Sequence, residues 1–348
     1  MVMLMTENPV TKKSDDDSSG FVWHSVKDLS SVREMREKLD IIDSEVRRVF
    51  DERRTEPQDL YDTAAHLLHA GGKRVRSLLM MLACEAVGGG ASDMLPYAVA
   101  TEFMQTASLI HDDIIDDDDM RRGVESTHRK YGNRMAILAG DLLIGLAVKL
   151  VGEQGTPELL TMVAASGIRM VEGEAADMLT LADPRRITTK EEYFDIVGRK
   201  TGSFMESVAR VGAILGEAST EQEEILAEYG ELLGLAFQIR DDILDITSNR
   251  KHVGKSVLSD LRGNKPNYVL VHTLEVCADE NAQLCLEALE SGDIPRAVEM
   301  INKVGAVEFS QGVAKDYAER AIDKVVGKDL ENEELLVALA SFAVERNL

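Results

Sequence analysis

No proline occurs between Pro96 and Pro157 or between Pro184 and Pro266, so two long stretches of this chain can run as uninterrupted helix. The hydrophobic pattern uses that freedom. Apolar residues recur at helical spacing from near Ser30 (Val32, Met35, Leu39, Ile42, Val46, Phe50) and again after Pro57 (Leu60, Ala64, Leu67, Leu68). The run from Val75 to Val87 is almost wholly apolar, as in a helix buried on most sides, and Gly88-Gly89-Gly90 ends it. Further helices are expected over Tyr97 to Asp116, Arg134 to Gly152, 157–182, 189–216, 220–247, 266–291, 295–303 and 307–346. A charged loop is expected from Asp117 to Gly132, and no alternating strand pattern of convincing length is present. The expected class is all-α.

With 348 residues, of which 44% are hydrophobic, the chain can build a substantial core as one large domain or two ordinary ones. Residues 1–20, with the run Asp15-Asp16-Asp17-Ser18-Ser19-Gly20, read as a disordered lead-in, and 21–348 as the folded domain. The formal charge of −23 argues against nucleic acid and against docking on an anionic membrane, and its plainest use is solubility. The three cysteines (Cys84, Cys277, Cys285) form no CxxC, which fits a reducing cytoplasm. The longest apolar stretch, Ala136 to Val151, is interrupted by Asp141 and Lys149, so no membrane anchor is expected.

Both long proline-free stretches carry the same acidic pentad, Asp112-Asp113-Ile114-Ile115-Asp116 and Asp241-Asp242-Ile243-Leu244-Asp245. On a helix the first and last Asp of D-D-x-x-D project from one face. Each pair suits a hard divalent cation, and magnesium favours a small carboxylate set completed by water and substrate phosphate. The first pentad is followed by Arg121-Arg122-Gly123, whose guanidinium groups can grip phosphate bidentately. A solvated acidic helix end neutralised by a basic loop would look similar. Upstream, Gly71-Gly72-Lys73-Arg74-Val75-Arg76 opens a buried helix, where N–H groups, the helix dipole and three cations would converge on an anion. An ordinary Gly-Gly turn with surface cations is the other reading. Near the second pentad, Gln238 shares a face with Asp241, while Lys200-Thr201, Lys255 and Lys265 are further phosphate partners or simply solvated side chains.

Taken in chain order, these motifs resemble the all-trans isoprenyl (polyprenyl) diphosphate synthase family, from the Gly-Gly-Lys-Arg turn to Lys265, with the general pattern running from about residue 30 to the C-terminus. The resemblance implies a single-domain bundle of long helices around a deep central cavity (the isoprenoid synthase fold), normally a homodimer. It implies Mg²⁺ as cofactor, with Asp112, Asp116 and Asp241 as ligands and Asp113, Asp242 and Asp245 in support. Lys73, Arg76, Gln105 and Arg122 would hold isopentenyl diphosphate. Arg121, Lys200, Thr201, Gln238, Lys255 and Lys265 would hold the allylic diphosphate, and Gly173-Glu174-x-x-Asp177 would line the cavity. Ser77 stands where the family usually has Pro, Asn249-Arg250-Lys251-His252 where an acidic turn is common, and Asn267 where Thr is frequent.

In that family the residues just before the first pentad form the floor of the elongation tunnel. Ala107 and Ser108 are small here, with Met104 and Thr101 one and two turns further back, so a C20 or longer product is expected. Alternatively, the small pair only permits close helix packing. A class I terpene cyclase would not need two pentads and a second cationic site. A metal phosphohydrolase built on His111-Asp112 would need further histidines. A regulatory subunit of a heteromeric prenyl synthase would lose motif aspartates, and both motifs are intact.

Overall fold

The computed structural model describes residues 29–181, 188–247, 265–277 and 279–345; the second acidic pentad lies within a helix as expected, and the first ends one, with Asp116 as its C-cap. The expectations for residues 1–20, for the turn 249–252 and for Lys255 lie outside the described residues.

The amphipathic first segment forms α1 (Leu29–Glu52), followed by α2 (Gln58–His69) and the short, almost fully buried α3 (Val75–Glu85). Helix α4 runs Ala91–Ile115 and ends inside the first pentad. It starts six residues earlier than the sequence suggested, because Pro96 is carried within the helix. A proline this close to the N-terminus removes little beyond one backbone bond, so it does not stop the helix.

The charged loop is more ordered than expected. Met120–Arg121 pairs antiparallel with Val124–Glu125, and α5 (Thr127–Tyr131) follows. Then come α6 (Asn133–Gln154) and α7 (Pro157–Leu181).

One helix was expected over 189–216. Instead α8 (Lys190–Val197), opened by a Thr189–Glu192 capping box, passes through a π-helical turn (Gly198–Gly202) into α9 (Ser203–Leu215). Helix α10 (Thr220–Thr247) carries the second pentad. The expected 266–291 helix is broken at Cys277 into α11 (Tyr268–Val276) and α12 (Asp279–Glu290). After α13 (Ile294–Lys303), the expected 307–346 helix is two, α14 (Ala306–Val325) and α15 (Glu333–Glu345), separated around Gly327, which takes φ 69°.

A large apolar core joins α1, α2, α3, α4, α6, α9, α10 and α15, and a smaller one joins α8, the end of α10 and the helices from α11 to α14. The second pentad sits where the two cores meet, since Ile239 and Ile243 belong to the smaller and Leu232 and Leu233 to the larger. Close helix contacts rest on glycine: a Cβ at Gly140 of α6 would collide with the His111 ring of α4. His111 is thereby held beside the first pentad as a packing residue, with Nε2 3.2 Å from the Ile137 carbonyl.

Helix α6 is long and apolar enough to cross a membrane, with a mean hydropathy of 2.0 over its most apolar window, although no span was expected from sequence. Its length and composition suit a core helix equally, and Ala136, Ala139, Leu143 and Ala147 are fully buried. The opposite side is bare: Ile137, Leu138 and Val148 of α6 and Ile168, Val171, Met178 and Leu179 of α7 are all exposed.

Candidate active site

The two pentads place their residues by one rule: the middle Asp turns inward and the outer ones face the cavity mouth. Asp113 is 0% exposed and Asp242 2%, while Asp112, Asp116, Asp241 and Asp245 are all partly exposed. Arg121 returns from the short hairpin to donate from Nε to Asp113 Oδ1 at 2.6 Å, and also reaches Asp118 at 3.2 Å. Asp242 takes hydrogen bonds from Tyr193 Oη (2.7 Å), Tyr268 N (2.8 Å) and Gln238 Nε2 (3.0 Å). Both buried carboxylates therefore act as anchors in this structure. Arg121, Gln238 and Thr201, expected to reach a phosphate, are engaged in that anchoring, since Thr201 Oγ1 donates to Gln238 Oε1 at 3.1 Å.

The outer aspartates meet cations from elsewhere in the chain. Lys265 pairs with Asp116 across the mouth. Lys200, presented by the π turn, pairs with Glu174 and lies 3.3 Å from Asp177. The turn can lie this close to α7 only because residue 173 is glycine, where a Cβ would sit 2.7 Å from the Lys200 nitrogen. π turns recur at functional sites because the extra residue re-aims the side chains around it. Burial works against the Lys200 ammonium, but Asp112, Asp177 and Glu174 outweigh it and hold its pKa well above the usual lysine range. Burial pushes the Asp112 carboxyl up to about 7, against the opposing pull of Lys200, with Glu174 and Asp116 adding repulsion.

A second zone is cationic. The Gly71-Gly72 turn carries positive φ at both glycines, and a Cβ at Gly72 would sit 3.0 Å from the Arg122 guanidinium. Glycine is therefore required for Arg122 to lie over the turn. Arg122 donates to the Leu67 carbonyl at 2.9 Å, and burial together with Arg74 lowers its pKa to about 10. Arg76 stacks 5.2 Å above the Phe204 ring, its Nε buried and without a partner, and burial lowers its pKa. Among the described residues neither Arg122 nor Arg76 forms an ion pair with a carboxylate, although Arg76 feels both Asp112 and Asp241. Lys73 is half-buried beside the turn, and Gln105 is half-buried two helical turns before Asp112.

Arg74 corrects the expectation of three converging cations. It takes left-handed backbone (φ 43°), points inward and pairs with Glu102 (2.8 Å) and Asp43 (2.9 Å). Ser77, the departure from proline, joins this buried network by donating to Glu102 Oε1 at 2.7 Å.

Below the mouth an apolar cavity runs between α3, α4, α6, α7 and α9, lined by Met104, Thr101, Tyr97, Val151, Met170 and Phe204 among others. Tyr97, Thr101, Met104 and Ser108 recur on one face of α4. Of the four expected floor residues, Thr101 and Met104 line this cavity, while the fully buried Ala107 and the half-buried Ser108 are not among its lining residues.

These residues fit a divalent metal. Oxygen donors of one charge are gathered at a partly buried mouth, the chemistry hard cations demand. No three such side chains converge on one point among the described residues. A metal here would complete its shell with water and phosphate oxygens, as magnesium does. Sequence reasoning missed Glu102, Tyr193 and Tyr268, and noted Asn267 only as a departure from Thr. Asn267 is fully buried, donates to the Asp242 carbonyl at 3.1 Å and caps α11, so it fastens the second pentad to the Lys265 segment. Only the nearness of Asn267 to Lys265 hinted at it.

Comparison with known proteins extends this picture. A family profile described as Polyprenyl synthetase matches residues 57–304. The chain is 37% identical to a short chain isoprenyl diphosphate synthase of Methanothermobacter thermautotrophicus, over 83% of this chain and 91% of that protein. It is 35% identical to a geranylgeranyl diphosphate synthase of Methanosarcina mazei, over 84% and 91% respectively. A crystal structure of polyprenyl synthase from Caulobacter crescentus, complexed with calcium and isoprenyl diphosphate, superposes with a TM-score of 0.84 at 29% identity, covering 91% of this chain and 98% of that one.

Proposed function

Because the chain belongs to the polyprenyl synthetase family, and is on that ground a prenyltransferase of isoprenyl diphosphates, we propose that it joins isopentenyl diphosphate to an allylic diphosphate, with Mg²⁺, to give an all-trans C20 or longer product. The observation that carries this reading is the pairing of two zones. Arg76 and Arg122 are half-buried cations with no carboxylate ion pair among the described residues, and Arg76 is within electrostatic reach of the outer aspartates Asp112 and Asp241. One zone suits a diphosphate directly, and the other suits a diphosphate carried on a divalent metal.

Asp112, Asp116 and Asp241 would hold Mg²⁺, with Asp245 in support. Bound there, the metal would supply Lewis-acid stabilisation of charge on the departing diphosphate. Lys265 sits against Asp116, and Lys200, paired with Glu174 and Asp177, feels Asp112; both are placed to take diphosphate oxygens, with Arg121, Thr201 and Gln238 behind them. Lys73, Arg76, Gln105 and Arg122 would fix the isopentenyl diphosphate so that its double bond faces the allylic carbon. The apolar lining from Phe204 to Tyr97 excludes water from the carbocation and accepts the growing chain. Loss of a proton then restores a trans alkene. The bare apolar face of α6 and α7 is the surface we assign to a homodimer, working in the cytoplasm.

The test is incorporation of labelled isopentenyl diphosphate with and without EDTA, followed by sizing of the product. Incorporation should require the divalent metal, and incorporation that survives chelation would count against the metal role. Ser108→Phe should shorten the product by placing an aromatic ring on the helix face of Met104. An unchanged length would move the floor elsewhere.

A further inference from the structure

At the C-terminal end of α4 and on the α5 helix that packs against it, two polar atoms are buried without hydrogen-bond partners. Asp113 spends Oδ1 on Arg121, and its Oδ2 is buried with no hydrogen bond. His128, on α5, is 5% exposed and its Nε2 is likewise buried and orphaned. Helix α5 packs against α4, and the imidazole acts electrostatically on the Asp113 carboxyl. The other ring nitrogen is occupied: Nδ1 lies 3.2 Å from Ser126 Oγ. Ser126 is itself fixed to the hairpin, its N–H donating to the Asp119 carbonyl at 2.9 Å. On the Nε2 side stands the Asp117 carboxylate, 3.9 Å away.

Buried polar atoms are seldom left unpaired, and a pair of them in one polar pocket is where buried waters are found. We propose that His128 is a positioning residue for the first acidic motif, holding Asp113 from Nε2–H through one buried water. The carboxylate on the Nε2 side favours the proton there, which leaves Nδ1 to accept from the Ser126 hydroxyl. Asp113 is then held from both oxygens, by Arg121 on one and by the His128 water on the other. The last turn of α4 is locked, and with it the directions of Asp112 and Asp116. Outer groups that orient metal ligands in this way change metal affinity about 10–100-fold when removed.

This inference rests on the proposed metal role of Asp112 and Asp116, and the experiment separates the two. Mn²⁺ is titrated by EPR into the full chain with inorganic pyrophosphate, for wild type, His128→Leu and His128→Gln, with circular dichroism and Tm as folding checks. His128→Leu should weaken Mn²⁺ binding by about tenfold or more. His128→Gln, whose amide can still donate, should recover most of that loss even where its Tm is no better. Unchanged affinity in folded His128→Leu, or an equal loss in both variants, overturns the role of His128 alone. A wild type that binds no Mn²⁺ overturns the metal reading and the inference with it. Should His128→Leu not fold, ¹⁵N NMR of wild-type histidines decides. A slowly exchanging Nε2–H on His128 supports the proposal, and an Nδ1–H tautomer overturns it.

Discussion

The two pentads have the same pattern of acidic residues and, among the described residues, are anchored by different donors. At the first, the inward aspartate is neutralised by charge: Arg121 closes over Asp113 and Asp118 from a hairpin eight residues on. At the second, the donors shown to Asp242 among the described residues are neutral, the Tyr193 hydroxyl, the Gln238 amide and the Tyr268 N–H, and they come from three separate segments. A local ion pair makes the first motif largely self-contained. The second exists only when α8, α10 and the start of α11 are assembled around it. Identical ligand spacing can thus be supported by a local device or by tertiary packing, and mutations should tell them apart.

The largest expected effect is at Asp113. Asp113→Ala leaves the buried Arg121 with Asp118 as its remaining carboxylate partner, and breaking a buried pair costs up to about 3–5 kcal/mol, readable by chemical denaturation. Next come the outer aspartates. Asp112→Asn should leave Tm near wild type while lowering kcat on the order of 10²–10³-fold, the scale for losing a group that stabilises transition-state charge. A Tm loss as large as that of Asp113→Ala would erase the inward–outward division. Asp242→Ala should cost about 1–3 kcal/mol, the scale for leaving buried neutral donors unsatisfied. If it costs as much as Asp113→Ala, the contrast between charged and neutral anchoring fails.

The smallest effect is in pH. Burial raises the Asp112 pKa from 3.8 to about 7, so between those values the folded chain binds a proton that the unfolded chain has lost. Its contribution to stability is present at low pH and declines as pH rises through that window. In EDTA, wild type should therefore lose more stability than Asp112→Asn between pH 5 and pH 8. Metal affinity should run the other way, weakening below about pH 7 as Asp112 takes its proton.

Much of this was legible in the sequence because it depends on spacing. Proline-free stretches and 3.6-residue periodicity gave the long helices, and the i, i+4 aspartates gave the shared face. What was not legible depends on which residue meets which across the fold. Arg74 and Arg76 look alike in the sequence, but a left-handed turn at Arg74 sends it to Glu102 and leaves Arg76 at the mouth. Ala107 and Ser108 are both small, and the structure buries the first fully and leaves the second half-buried on the helix face of Met104 and Thr101. The π turn at Gly198–Gly202 leaves no periodic signature, because a single inserted residue looks like ordinary helix. The long segments at 266–291 and 307–346 were expected unbroken because their apolar pattern continues across the breaks at Cys277 and around Gly327.

The most direct test of elongation is to size the product of the wild-type chain. Purified protein receives Mg²⁺, labelled isopentenyl diphosphate and, separately, C5, C10, C15 and C20 allylic primers, and the dephosphorylated alcohols are separated by length. Discrete all-trans products of C20 or longer are expected, with the final length independent of the primer. No incorporation with any primer, by protein shown to be folded, would contradict the account.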